Sequence, residues 1–310
     1  MTRVAAFDCG TNSLRLLIAD LDPAAGEMTE LVREMRIVRL GEGVDRTGRI
    51  SEASMGRTFT ALDEYADLVR RHRPRATRFC ATSAARDAAN SAEFMTGVQD
   101  RLGVVPEILR GDEEARASFA GATRALTGVE APVLVVDIGG GSTELILGTP
   151  PTVGSAGDVV DAQSVDIGSV RLTERHLHDD PPTADQVAAL CADVDHTLDA
   201  CHVDLARART VVGVAGTVTT VAAGVLDLPA YDRDRIHLAR LGIGSVHATV
   251  AELVVMSVDQ RRALGYMHPG RADVIAAGAL ILDRVLRRTD VLELVVSESD
   301  ILDGIAWSLA

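Results

Sequence analysis

A chain of 310 residues is long enough to bury two separate cores. Its 47% hydrophobic and 25% charged residues are the balance of an ordinary soluble protein, with no apolar run able to span a bilayer. The excess of 45 acidic over 31 basic side chains, net −14, argues against a general nucleic-acid binder, which needs basic patches to displace counterions.

The most apolar stretch, Val211–Leu226, is interrupted by glycines and threonines and fails as a membrane span. The N-terminus shows no basic region followed by an apolar core, so no signal peptide is expected. Cys9, Cys80, Cys191 and Cys201 have no C-x-x-C spacing, which disfavours zinc or iron–sulfur and suits a reduced, cytoplasmic setting.

In chain order, the sequence predicts strands over Arg3–Asp8, Ser13–Asp20 and Glu30–Leu40, with an acidic bend at Glu27–Glu30. Ser51 reads as the cap of a helix carrying Met55, Phe59, Leu62, Tyr65, Ala66 and Val69. A strand at Thr77–Ala81, a helix capped by Ser91 and a strand at Val105–Leu109 follow. Asp112 looks like the cap of the next helix, with Glu113 and Glu114 in its first turn, where acids favour the dipole by ~0.3–1 kcal/mol each.

Val133–Val136 and Thr143–Leu147 read as strands around a glycine turn, and Val153–Ala162 as a glycine-rich loop. Asp166–Leu177 opens a helix. Thr183 and Gln186 form a capping box ahead of Val187, Leu190, Val194 and Leu198. Strand Thr210–Val214 runs into Ala215–Leu226, a glycine–hydroxyl turn followed by a helix whose N-terminus could hold an anion. Helices over Val246–Met256, Val258–Leu264 and Gly270–Arg288, a strand at Val291–Ser297 and a helix at Asp300–Leu309 close the chain.

Two stretches carry chemistry. In Asp137–Leu145 an apolar strand runs into an aspartate, three glycines and a hydroxyl, then a returning strand. Three glycines free the backbone for positive φ, so that their N–H groups form one anion-binding concavity. The aspartate can hold Mg²⁺ beside a phosphate ester. The same order recurs after Val4–Phe7, as Asp8, Gly10, Asn12 and Ser13, then a strand. A tight glycine turn would explain either copy alone. Two copies of one uncommon arrangement favour phosphate. A strand, not a helix, follows each turn, so each is a hairpin tip and not a dinucleotide loop.

The large-scale pattern is a duplicated α/β half, each opening with a β-hairpin. It is similar to the duplicated ribonuclease-H-like architecture of actin, sugar kinases and Hsp70-type ATPases, with an interdomain cleft. The expected division is 1–127 and 128–299, the boundary falling near Thr127–Ala131, with the C-terminal helix 300–310 returning to the first domain.

The stretches FDCGTNSLRLLIAD, ATSAARDAAN, GDEEARASFAGA, VVDIGGGSTELILG, GSVRLTERHL, GVAGTVTT and PGRADVIAAGALIL, in that order across nearly the whole chain, resemble the exopolyphosphatase / guanosine pentaphosphate phosphatase (Ppx/GppA) family in its short, two-domain form. The resemblance implies a metal-dependent hydrolase of phosphoanhydride bonds, acting on linear polyphosphate or pppGpp with Mg²⁺ or Mn²⁺. It points to Glu114 as the base that activates water, with Glu113 as the fallback. It matches the second glycine loop at Asp137 and Glu144, the first at Asp8, Gly10, Asn12 and Ser13, and an arginine at Arg86; on the chemistry of the residues themselves, Asp137, Asp8 and Glu144 suit metal, and Gly139, Gly140, Gly141, Ser142, Ser13, Arg86 and Arg15 suit phosphate. Dimers are common in the family, so a homodimer stays open. Cys9 departs from many relatives but faces no obvious chemistry.

The residues agree with that chemistry: phosphoanhydride hydrolysis needs a positioned water, neutralised phosphoryl charge and a stabilised leaving group. Surface ion pairing with Asp87 or Glu93 would also explain Arg86, a solvent-facing strand position would explain Glu144, and helix capping would explain His268 and Arg271. Polyphosphate hydrolysis leads, pppGpp 5′-phosphohydrolysis is its alternative, and an ATP-dependent kinase or a non-enzymatic phosphate or nucleotide sensor ranks lower.

Overall fold

The structure is a computed structural model that describes residues 1–151 and 157–310. The described chain divides into two compact units, Met1–Gly121 with Ile301–Ala310, and Ala122–Asp300.

The first unit holds β1 (Thr2–Cys9), β2 (Ser13–Asp22), β3 (Glu27–Ile37), α1 (Val44–Thr47), α2 (Glu52–His72), β4 (Ala76–Ala81), α3 (Ser83–Asp87), α4 (Ser91–Leu102), β5 (Glu107–Ile108) and most of α5 (Gly111–Thr123). Its sheet runs β3-β2-β1-β4-β5: antiparallel on the β2 side of β1, parallel on the β4 side. β1 is buried from Val4 to Cys9 because helices cover both faces of the sheet. Ala5, Phe7 and Cys9 join a core with Met55, Leu62 and Tyr65 of α2 and Phe94 of α4. Val4 and Ala6 face the opposite way, against Ile301, Leu302 and Ile305 of the C-terminal helix, Ile301–Trp307. That helix packs closely on α5: a Cβ on Gly304 would sit 1.9 Å from the Ala117 carbonyl oxygen.

The second unit holds β6 (Val133–Ile138), β7 (Thr143–Thr149), β8 (Asp158–Val165), α6 (Ser169–His176), α7 (Ala184–Asp199), β9 (Thr210–Val214), α8 (Ala215–Val225), α9 (Arg233–Ile236), β10 (Arg240–Gly242), α10 (Ile243–Val255), α11 (Val258–Arg262), α12 (Ile275–Leu286) and β11 (Glu293–Val296). Its order, β8-β7-β6-β9-β11-β10, repeats that of the first sheet and adds the short antiparallel edge β10. Both sheets are therefore mixed and share the ribonuclease-H-like order, which makes the chain a duplicated α/β fold. α12 is apolar but for Asp283 and Arg284 near its C-terminal end and is buried along almost its whole length, as a helix central to a core must be.

Three local expectations need correcting. The bend between β2 and β3 lies at 23–26, not at Glu27–Glu30: Asp22 Oδ1 accepts from the amides of Ala24 and Ala25, and Gly26 takes a positive φ of 71°. β3 consequently starts at Glu27. Of the loop expected over Val153–Ala162, residues 153–156 lie outside the described residues, and β8 already runs from Asp158, paired to Thr149. Asp112 is not the cap of α5. The Arg110 carbonyl accepts from Glu113 and Glu114, and the Glu113 carboxylate reaches back to the Arg110 amide at 2.9 Å. β10 was missed because three residues carry no readable alternation.

Candidate active site

In the first unit the parallel strands β1, β4 and β5 end side by side, with Cys9 opposite Ala81 and Ala81 opposite Ile108. The hairpin tip follows β1, α3 follows β4 and α5 follows β5, so Asp8, Arg86 and Glu114 all sit at the carboxyl end of the sheet, where open α/β folds place their ligands. Glu114 is 6% exposed. Arg86 Nη1 donates to Glu114 Oε2 and to the Leu109 carbonyl, both at 3.0 Å, which fixes the carboxylate against the strand end. Arg86 thus pairs with neither Asp87 nor Glu93. Glu113, engaged with the Arg110 amide and half-exposed, is a helix cap.

The two hairpin tips share one backbone scheme. Gly10 N donates to Ser13 O at 2.9 Å, and Gly139 N to Ser142 O at 3.0 Å. The amides of Gly10 and Gly139 are therefore committed to their turns. In the second unit the Gly139 carbonyl accepts from Ser169 N, the Gly140 carbonyl from Val170 N and Arg171 N, and the Gly141 carbonyl from Arg171 Nε. In a planar trans peptide the N–H of the next residue points opposite to the carbonyl. Anchoring these three carbonyls on the start of α6 turns the amides of Gly140, Gly141 and Ser142 to the other side, as a row of donors. In the first unit Thr11 O accepts from Gly41 N, and Asn12 O from Val38 N and Arg39 N, which turns the amides of Asn12 and Ser13 in the same way.

Neither Gly10 nor Gly139–Gly141 takes a positive φ. The expected left-handed backbone is replaced by close approach: a Cβ on Gly168 would lie 2.5 Å from the Gly140 carbonyl carbon.

Charge separates the tips. Asp8 faces Arg15 across β1–β2, and Arg15 Nε and Nη2 donate to Asp8 Oδ2 at 2.9 and 2.6 Å. Asp137 faces Glu144 across β6–β7, so both side chains leave the same face of the sheet. They are 6% and 2% exposed, which removes the solvent-facing reading of Glu144. Ser164 Oγ donates to Glu144 Oε1 at 2.6 Å.

Two buried carboxyl groups at directly opposed positions put several oxygen donors on one face of the sheet. A divalent ion that takes one or two carboxylates and completes its shell with water and phosphate oxygens, Mg²⁺ or Mn²⁺, fits this donor set. Among the described residues no three His, Cys, Asp or Glu side chains form a ready-made cage.

Of His268 and Arg271, only the first acts as the expected cap. His268 Nδ1 accepts from Gly270 N at 3.1 Å, a cap, and burial together with the Arg271 charge holds its ring below the ordinary imidazole range. Arg271 instead lies over the start of α8: a Cβ on Gly216 would sit 2.2 Å from its guanidinium carbon. The signal was Gly216 itself, two residues past a strand end that lies beside Asp137.

The four cysteines are free thiols, and no helix of the described residues is long and apolar enough to cross a membrane. The chain is 47% identical to Exopolyphosphatase 2 of Mycobacterium tuberculosis, over all of this chain and 99% of that protein. A Ppx/GppA family member from Aquifex aeolicus superposes with a TM-score of 0.82 at 30% identity, covering 99% of this chain and 98% of that one. An exopolyphosphatase from Cytophaga hutchinsonii superposes with a TM-score of 0.89 at 25% identity, covering 99% and 97%. The model of the Ppx/GppA phosphatase family matches residues 17–309, and with a relative this similar along its full length, the chain belongs to that family.

Proposed function

We propose that this phosphatase is an exopolyphosphatase, which hydrolyses the terminal phosphoanhydride bond of linear polyphosphate and releases orthophosphate. The observation that carries the reading is the row of amides at Gly140, Gly141 and Ser142, turned outward beside the buried Asp137–Glu144 pair. Such a row binds phosphoryl oxygens without any positive side chain. The name of the mycobacterial relative supports the substrate class.

In this mechanism Glu114 takes a proton from the attacking water, whose oxygen bonds to the terminal phosphorus as the bridging P–O bond breaks. The electron pair of that bond leaves with the shortened chain. Arg86 holds Glu114 by one oxygen, and its remaining donors are suited to phosphoryl oxygens. The amides of Gly140, Gly141 and Ser142 in the second unit, and those of Asn12 and Ser13 in the first, are each suited to binding phosphoryl oxygens. Asp137 and Glu144 would hold Mg²⁺ or Mn²⁺, which when bound supplies neutralisation of phosphoryl charge. Asp8 orients Arg15 through Oδ2, which takes both guanidinium bonds, and its other oxygen would serve a metal. Free thiols and the absence of any C-x-x-C spacing suit a cytoplasmic enzyme.

The test is phosphate release from long-chain polyphosphate, tripolyphosphate, pppGpp and ATP side by side, with and without Mg²⁺. Polyphosphate should turn over fastest and only with metal; faster turnover of pppGpp would reassign the substrate. Glu114→Gln should lower kcat by about 10²–10⁴-fold while polyphosphate affinity holds. Retained turnover in that variant would remove Glu114 from its role.

A further inference from the structure

The C-terminal end of α2 carries a charge that the reaction does not use. Arg70 and Arg71 close the helix, Arg73 is its cap, and Arg75 stands in the turn to β4; all four are exposed. The Arg75 amide donates to the Arg3 carbonyl at 2.8 Å and Arg3 Nη1 to the His72 carbonyl at 3.3 Å, which adds a fifth guanidinium at the start of β1. Asp67, Arg70, Arg71 and Arg73 line a concavity of about 530 Å³.

Few acids balance this cluster. Asp67 pairs with Arg70, and Asp20 with Arg3. The nearby Asp63 and Glu64 are engaged by Arg101 and Arg36. Among the described residues no carboxylate pairs with Arg71, Arg73 or Arg75.

Helix capping explains only part of it. The dipole favours a cation in the last turn by ~0.3–1 kcal/mol, an effect that one or two side chains would supply. Arg73 moreover sits at φ 51°, in the left-handed cap position where glycine or asparagine is the usual choice. On a chain of net charge −14, a concave arginine cluster is a local reversal of sign. The sequence has no lysine, and the planar fork of arginine binds phosphate oxygens in pairs.

We propose that this cluster is a second anchoring site for the linear phosphate chain, which holds phosphates far from the end being hydrolysed. The inference rests on the polyphosphate reading above. The cluster lies at the start of β1, at Arg3, and the Asp8 hairpin at the other end, about 17 Å away along the strand. Tripolyphosphate is too short to occupy both; a long chain is not. The cluster offers no aromatic platform on which bases could stack, so an inorganic chain suits it better than RNA.

The experiment compares the wild type with the triple variant Arg71→Ser, Arg73→Asn, Arg75→Ser; asparagine suits the left-handed cap, and no carboxylate loses a partner. Loss of three exposed charge contacts, each worth about a factor of two, should raise KM for long-chain polyphosphate about eightfold. Both kcat and the KM for tripolyphosphate should hold, which also reports an intact fold. Binding of fluorescent long-chain polyphosphate without metal should weaken by a similar factor, with a shallower salt dependence. That arm needs no turnover, so it separates failure of this site from failure of the hydrolase reading. Unchanged long-chain KM and binding, an equal rise for tripolyphosphate, or tighter cluster-dependent binding of an RNA oligomer would each overturn the proposal.

Discussion

In the first unit Asp8 sits across β1–β2 from Arg15; at the equivalent register of the second unit Asp137 sits across β6–β7 from Glu144. The backbones around them are alike, from the glycine amide that closes each turn to the carbonyls anchored on the following segment. One position, two residues after the turn serine, sets the difference. Arginine there gives a buried pair that is neutral in itself. Glutamate instead sets a second buried carboxyl group beside the aspartate. The two hairpins thus share a backbone scheme and differ in the side chain set opposite their aspartates.

The largest effect should come from making the second hairpin resemble the first. Glu144→Arg would give Asp137 a partner like that of Asp8, so the fold should hold while metal-dependent hydrolysis falls by more than about 10³-fold. Full activity with unchanged metal demand would break the comparison. Asp137→Asn removes one of the two charges. It should raise the metal concentration for half-activity about 10–100-fold and lower kcat with it, and a metal titration reads both. An unchanged midpoint would take Asp137 out of metal binding.

The reverse change probes the first hairpin through stability. Arg15→Met leaves the Asp8 carboxylate, 4% exposed, without its guanidinium, and should cost about 3 kcal/mol in a urea titration. Adding Asp8→Asn should recover most of that, since the loss is a buried charge and not a missing contact. If the double variant were no better than the single one, Arg15 would be acting through packing.

The elements and their order were legible because β1 and β6 are continuous apolar runs ending in Asp-x-Gly, and because Ser51 and Thr183 sit where they accept the amides of Ser54 and Gln186. What the sequence could not display was direction. Three glycines announce a backbone that approaches something closely, yet not that their carbonyls would be tied to α6 and their amides turned out. Nor does a Glu–Glu pair reveal which carboxylate caps the helix and which meets Arg86. That distinction depends on the Arg110 amide and on Arg86 of α3, 28 residues upstream of Glu114. The place of Arg271 is hidden for the same reason, since its partner Gly216 lies 55 residues away.

Cys9 gives the smallest and most discriminating comparison, because it stands where the second hairpin has Ile138. Both are buried, at 0% and 1% exposed, and Cys9 packs with Ala5 and Phe7 against α2. Burial pushes its thiol well above the ordinary range, and the neighbouring Asp8 charge pushes it further the same way. Cys80, on the adjoining strand, is pushed up to about 12, mainly by burial. Since only the thiolate is nucleophilic, both should resist iodoacetamide at pH 8 in the native protein, while the half-buried Cys191 and Cys201 react first. If Cys9 is a small hydrophobe doing the work of Ile138, Cys9→Ala should keep phosphate release within about twofold and cost about 1 kcal/mol of stability. Rapid native labelling of Cys9, or a large loss of turnover in Cys9→Ala with the fold intact, would show that the two hairpins differ in a second chemical respect besides the partner of their aspartates.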